Sequence, residues 1–126
     1  METKAIRDSR NELRIETRID LPGVVAEEGR RSDRKGETKL AITTSKGNRG
    51  ELVSRASVSF YGDMFVVHAF GLGTGKGDFS CKVTSKPGRA TEKALRELHE
   101  HALVHLPMII EAATRFYAAK GAVANV

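Results

Sequence analysis

The chain is poor in the features that usually declare a small protein's chemistry. Its one cysteine, Cys81, excludes an intrachain disulfide framework and fits a reducing compartment, so a cytoplasmic location is expected. No apolar run approaches the roughly 20 residues of a membrane helix. Residues Met1 to Asp8 lack the apolar stretch of a secretory signal, and no membrane partner is expected. Tryptophan is absent and aromatic residues make up 6% of the chain, which leaves few positions for stacking.

Catalytic and ligand motifs are missing as well. The glycine-rich stretch Gly71–Gly77 fails the P-loop pattern, because Gly77 follows Gly75-Lys76 and Phe70 stands where the first glycine belongs. It also leads into a strand and not a helix, so it is no dinucleotide fingerprint. His101 and His105 share a helix face, but Ala102 follows His101, the metalloprotease pattern is absent and no third ligand is evident. His68 falls beside Ser57 and Ser80 on a sheet face without a strained nucleophile turn, an orienting acid or an oxyanion loop. No catalytic residue, metal or cofactor is therefore assigned, and the protein is not expected to be an enzyme.

What is present is a basic, alternating sequence. At 126 residues it forms one domain, residues 1–126, and its net charge of +5 favours a polyanionic partner. Residues 1–11 are polar and expected to fray. Leu13, Ile15, Thr17 and Ile19 alternate with Arg14, Glu16 and Arg18, the pattern of a half-buried strand whose outer charges form cross-strand pairs. Residues 21–37 carry almost no apolar anchor and read as a mobile, locally neutral loop. Thr38–Thr44 is a second strand with Leu40 and Ile42 inward.

The stretch Leu52–Phe70 reads as a hairpin about a Gly62-Asp63 turn. One face collects Ala56, Val58, Phe60, Phe65, Val67 and Ala69. The other, mixed face collects Arg55, Ser57, Ser59, Tyr61, Met64, Val66, His68 and Phe70. A last strand, Asp78–Thr84, is expected to fold back beside Phe65–Ala69 and add Phe79, Cys81 and Val83 to the core face. A helix then starts near Thr91, with Leu95, Leu98, Ala102, Leu106, Ile109, Ala113 and Phe116 as its apolar stripe. Pro107 either kinks it or opens a second helix. The helix half after Pro107 is apolar nearly all round, which predicts a homodimer through Met108, Ile110, Ala113, Phe116 and Tyr117.

The expected fold is thus α+β, an antiparallel sheet of about five strands within residues 12–84, carrying a long Pro-interrupted C-terminal helix (90–120) on one face. The expected function is non-enzymatic binding of nucleic acid, single-stranded DNA or RNA for preference. Arg55, Tyr61, His68 and Phe70 would serve from the mixed sheet face, with Lys76 at the glycine loop. Lys82, Lys86, Arg89, Lys93 and Arg96, opposed only by Glu92, would hold phosphates near the helix start. The competing expectation is a protein-interaction module that uses the same surface against an acidic or nucleic-acid-handling protein.

Overall fold

A computed structural model describes residues 2–21, 38–60 and 79–119. Five strands, β1 (Glu2–Arg7), β2 (Leu13–Asp20), β3 (Thr38–Lys46), β4 (Leu52–Phe60) and β5 (Ser80–Lys86), form one antiparallel sheet in sequence order. Two helices follow, α1 (Glu92–Val104) and α2 (Leu106–Ala119). The architecture is α+β, an open antiparallel sheet with both helices on one face, as the alternation and the C-terminal apolar stripe predict.

The N-terminus departs from expectation. Residues expected to fray form β1, paired with β2 from Glu2↔Arg18 to Arg7↔Leu13. The turn between them explains the order. Asp8 Oδ1 accepts the backbone N–H groups of Arg10 (2.8 Å) and Glu12 (3.0 Å), and Asn11 takes a left-handed φ of 62°. Asp and Asn are the side chains that best support such a turn. The hydrogen bond from Glu12 above all, then that from Arg10 and the positive charges of Arg10 and Arg14, hold the Asp8 carboxyl below its ordinary pKa against the cost of desolvation.

A second correction concerns β5. It pairs with β4, Leu52↔Lys86 through Ser57↔Ser80 with an irregularity at Ser54/Arg55, on an edge of β4 that the hairpin reading gives to residues 64–70. The other edge of β4 is filled by β3. Over Leu52–Ser57 both hydrogen-bonding edges of β4 are therefore used, and the hairpin partner expected there has no edge to occupy. The expected turn at Gly62-Asp63 and the strand after it lie outside the described residues.

The core lies between the sheet and the helices. Leu40, Ile42, Ala56 and Val58 pack with Leu21 and with Ala102, Ile109, Ala113 and Tyr117, while Ile15 and Leu52 pack with Leu95 and Leu98. Each fully buried Leu or Ile contributes about 1.5–3 kcal/mol. Thr91 caps α1, its hydroxyl accepting the N–H of Ala94 at 3.1 Å. Of the two outcomes for Pro107, the chain takes the second: α1 ends at Val104, His105 donates its N–H to the Ala102 carbonyl, and α2 opens at Leu106. Proline costs nothing in that first turn, where its missing N–H has no partner to lose.

The restart turns Ala113 and Tyr117 fully into the protomer's own core. The Tyr117 hydroxyl accepts the Phe79 N–H at 2.9 Å, and Phe116 stacks edge-on against Phe79 and Tyr117 at centroid distances of 5.8 and 5.0 Å. Two of the five residues assigned to a dimer contact are thus spent inside one chain. Ile110 and Phe116 are half-buried, and Met108 remains 69% exposed.

Candidate nucleic-acid interface

The strand registers divide the basic residues between two surfaces. On β4, Leu52, Ser54, Ala56 and Val58 face the helices, so Arg55 and Ser57 face away. Arg55 pairs with Lys82, and Ser57 with Ser80, on that far face. Lys93 and Arg96 lie on the outward side of α1, because Leu95, Leu98, His99 and Ala102 take its sheet-facing side. Arg96 is paired with Glu92 at 3.2 Å. The Arg55/Lys82 pair and the helix cations are therefore separated by the sheet and do not form one surface. Lys86 and Arg89 are exposed between them, at the end of β5 and before α1. The Thr91 hydroxyl, beside Arg89 and Lys93 in sequence, accepts the Ala94 N–H as the cap of α1. Tyr61, His68, Phe70 and Lys76 lie outside the described residues.

The far face continues across the sheet where the sequence pattern was read only as solvated charge. By register it carries Lys4 on β1, Arg14 and Arg18 on β2, Lys39 on β3, Arg55 on β4 and Lys82 on β5. The acids on its strands are Glu2, Glu16 and Asp20, and Glu51 joins them at the β3–β4 end. Lys39 is bonded to Asp20. Glu16 lies directly across from Lys4 and Thr43, with Arg14 and Arg18 two residues away on its own strand. Arg14 Nε stands 3.4 Å from Glu16 Oε2, and Arg18 Nε bonds Glu16 Oε1. Beside the cross-strand pair Lys39–Asp20, the β2 charges also pair along their own strand, because a central carboxylate reaches both of its i±2 neighbours on one face.

Glu16 is only 6% exposed although it faces away from the core, whereas Arg14 and Arg18 stay near 40% exposed. A groove of about 340 Å³ opens above it, lined by Glu2, Lys4, Ile6, Arg14, Glu16 and Arg18. A second groove of about 400 Å³ runs from the β3–β4 turn, at Lys46 and Arg49, down to Arg55. Between the cations the face offers small polar side chains, Thr43, Ser45, Ser57 and Ser80. Ala41 and Val53 lie on the same face by register and are only 8% exposed.

The polar group that sequence reasoning missed is His99, which is fully buried. Its Nδ1 lies 2.8 Å from Thr44 Oγ1 and its Nε2 lies 2.6 Å from Thr17 Oγ1. Thr44 reaches Ser54 at 2.5 Å, and Thr17 reaches Thr3 at 2.7 Å. The chain Ser54–Thr44–His99–Thr17–Thr3 crosses four strands and α1. Burial, helped by the charge of Arg96 and opposed by Glu100, holds the imidazole below its ordinary pKa and so neutral. A neutral imidazole donates from one nitrogen and accepts at the other, which matches hydroxyls that do either. No acid lies in this chain of hydrogen bonds, and His99 is 1% exposed, the arrangement of a structural network. The available clue was Leu95, Leu98 and Ala102 at helical spacing, which brackets His99 and leaves His101 and His105 outside.

No group of three or more His, Cys, Asp or Glu side chains among the described residues is placed to hold a metal ion. No helix among them is long and apolar enough to cross a membrane. Comparison with family models, curated proteins and solved structures finds no match to the chain.

Proposed function

We propose that the protein binds nucleic acid along the sheet face opposite its helices, gripping the phosphate backbone. The observation that supports this is the charge of that face. Lys4, Arg14, Arg18, Lys39, Arg55 and Lys82 stand on five adjacent strands against Glu2, Glu16 and Asp20, with Glu51 at the β3–β4 end. Phosphate contacts supply affinity and steep salt dependence, while sequence preference needs base contacts. In this reading Arg55 and Lys82 are retained from the sequence expectation, joined by the β1–β2 cations, and the α1 cations are dispensable. Tyr61 and Phe70 would supply any preference for single strands by stacking.

The test is a titration of single-stranded DNA, duplex DNA and single-stranded RNA across a salt series, for the wild type and for Arg55→Glu, Lys82→Glu and Lys93→Glu. Binding should weaken in the first two variants and hold in the third. Each lost cation should lower the log–log salt slope by about one. Absence of binding at low salt, or equal loss in Lys93→Glu, overturns the reading. The search would then turn to an acidic protein partner, tested by capture that survives nuclease treatment.

A further inference from the structure

We infer that the groove over Glu16 is a phosphate-binding subsite in which Lys4 and Arg14 contact the phosphate and Glu16 acts as a positioning residue. The inference rests on the nucleic-acid reading for its ligand class, but its geometry stands apart from that reading. Glu16 occupies the floor of the groove and engages Arg14 and Arg18 from their Nε sides. The fork of an arginine has a second edge, formed by its terminal nitrogens. In Arg14 those nitrogens make no hydrogen bond with a described residue, and the buried Nε lies beside Glu16 without reaching hydrogen-bond geometry. Lys4 stands directly across from Glu16 on the edge strand, and its ammonium likewise makes no ion pair with a described residue.

A carboxylate beneath a phosphate site carries a cost, since like charges repel. Its burial resolves the difficulty. A nearly covered Glu16 already neutralised by flanking guanidinium groups repels an incoming anion less than a solvated carboxylate would, while it keeps the Arg14 side chain from sampling its many rotamers. Binding then loses less side-chain entropy, the general gain from preorganisation. Lys4 and Arg14 are not equivalent in this arrangement. The guanidinium offers a planar fork matched to two phosphate oxygens, and the ammonium adds a point charge.

Glu16→Gln decides the matter, because the two accounts predict opposite signs. If Glu16 is only a negative charge on a basic face, its removal strengthens polyanion binding. If it positions Arg14, its removal weakens binding of a short single-stranded oligonucleotide, by about tenfold for the loss of one charge-assisted contact. Arg14→Lys, which keeps the charge and leaves the Glu16 carboxylate in place, should weaken binding similarly, and serves even if Glu16→Gln fails to fold. Inorganic phosphate titrated into the wild type should shift the Arg14 Nε–Hε resonance. Strengthened or unchanged binding in Glu16→Gln, or unchanged binding in Arg14→Lys, overturns the subsite. A wild type that binds inorganic phosphate at Arg14 but no nucleic acid leaves the subsite standing and removes the nucleic-acid function. Nucleic-acid binding indifferent to both variants does the reverse.

Discussion

Acidification should destabilise the protein through His99 in a way that one substitution isolates. The ring is 1% exposed, bonded on both nitrogens to threonine hydroxyls, and held neutral by burial. In the unfolded chain it titrates near its ordinary 6.5. The folded pKa lies lower, so above pH 6.5 both states are neutral and the full stability of the packed ring is present. As pH falls below 6.5 the unfolded chain takes a proton that the folded chain refuses, and stability declines until the folded pKa is reached. One proton per molecule limits the slope to about 1.4 kcal/mol per pH unit.

The assay is urea unfolding from pH 8 to pH 5 for the wild type and for His99→Gln, which keeps an amide donor and acceptor but cannot titrate. The variant begins less stable, since its shorter reach breaks at least one of two hydrogen bonds worth about 0.5–1.5 kcal/mol each. The informative quantity is the difference between the two curves. It should be constant above pH 7 and shrink below 6.5, because the wild type alone loses the His99 contribution. Parallel curves throughout would refute the argument. Thr17 and Thr44 each keep a second partner, Thr3 and Ser54 respectively, so neither hydroxyl is orphaned in the variant.

Two further substitutions probe the helix restart. Tyr117→Phe removes the acceptor of the Phe79 N–H from a fully buried position and should cost about 1–3 kcal/mol in chemical denaturation; a loss near zero would mean that this bond carries no weight. Pro107→Ala should lower stability by only about 0.4–1 kcal/mol through greater freedom of the unfolded chain. A gain approaching 3 kcal/mol would instead mark Pro107 as an interior kink and contradict the break at His105.

The alternation of β2, β3 and β4 was legible because a sheet covered on one side writes its burial with period two, and Ile15, Leu40, Ile42, Ala56 and Val58 all fall inward. The partner of β5 was not legible. Pairing is a tertiary choice, and the same inward set of Phe79, Cys81 and Val83 fits against β4 as well as against a strand at 64–70. Tyr117 misled for a related reason. A helix half apolar nearly all round does not show which side meets the sheet, and Tyr117 falls inward, where its hydroxyl accepts the Phe79 N–H. The placement of the cations was half legible: alternation puts Arg55 on the face opposite the core, where the register sets it, but whether Lys82 groups with the α1 cations depends on which side of the sheet the helix covers. The β2 charges were dismissed because alternation alone cannot distinguish a solvated carboxylate from one nearly buried between arginines.

The two polar systems share β2, and that sharing ties the fold to the proposed site. Thr17 points to His99 beneath the sheet, while Glu16 and Arg18 on either side of it point to the groove above. A slip of one residue between strands would turn every side chain of the slipped strand to the opposite face. An apolar core of Ile, Leu and Val resists such a slip, but β1 adds no residue to that core: Ala5 is exposed, and Ile6 faces the groove. Its inward Thr3 instead bonds Thr17, which bonds His99, and Thr44 with Ser54 continues the same restraint across β3 and β4. Directional hydrogen bonds discriminate between registers more sharply than dispersion contacts do. The buried histidine therefore replaces apolar packing where β1 cannot supply it, and the register it fixes is the one that sets Lys4 opposite Glu16. Weakening the network, as in Thr17→Val, should then reduce amide protection in β1 before it reduces that of β3, and hydrogen exchange resolved by strand measures the order directly. Equal loss in both strands would mean that β1 is held by its backbone ladder alone.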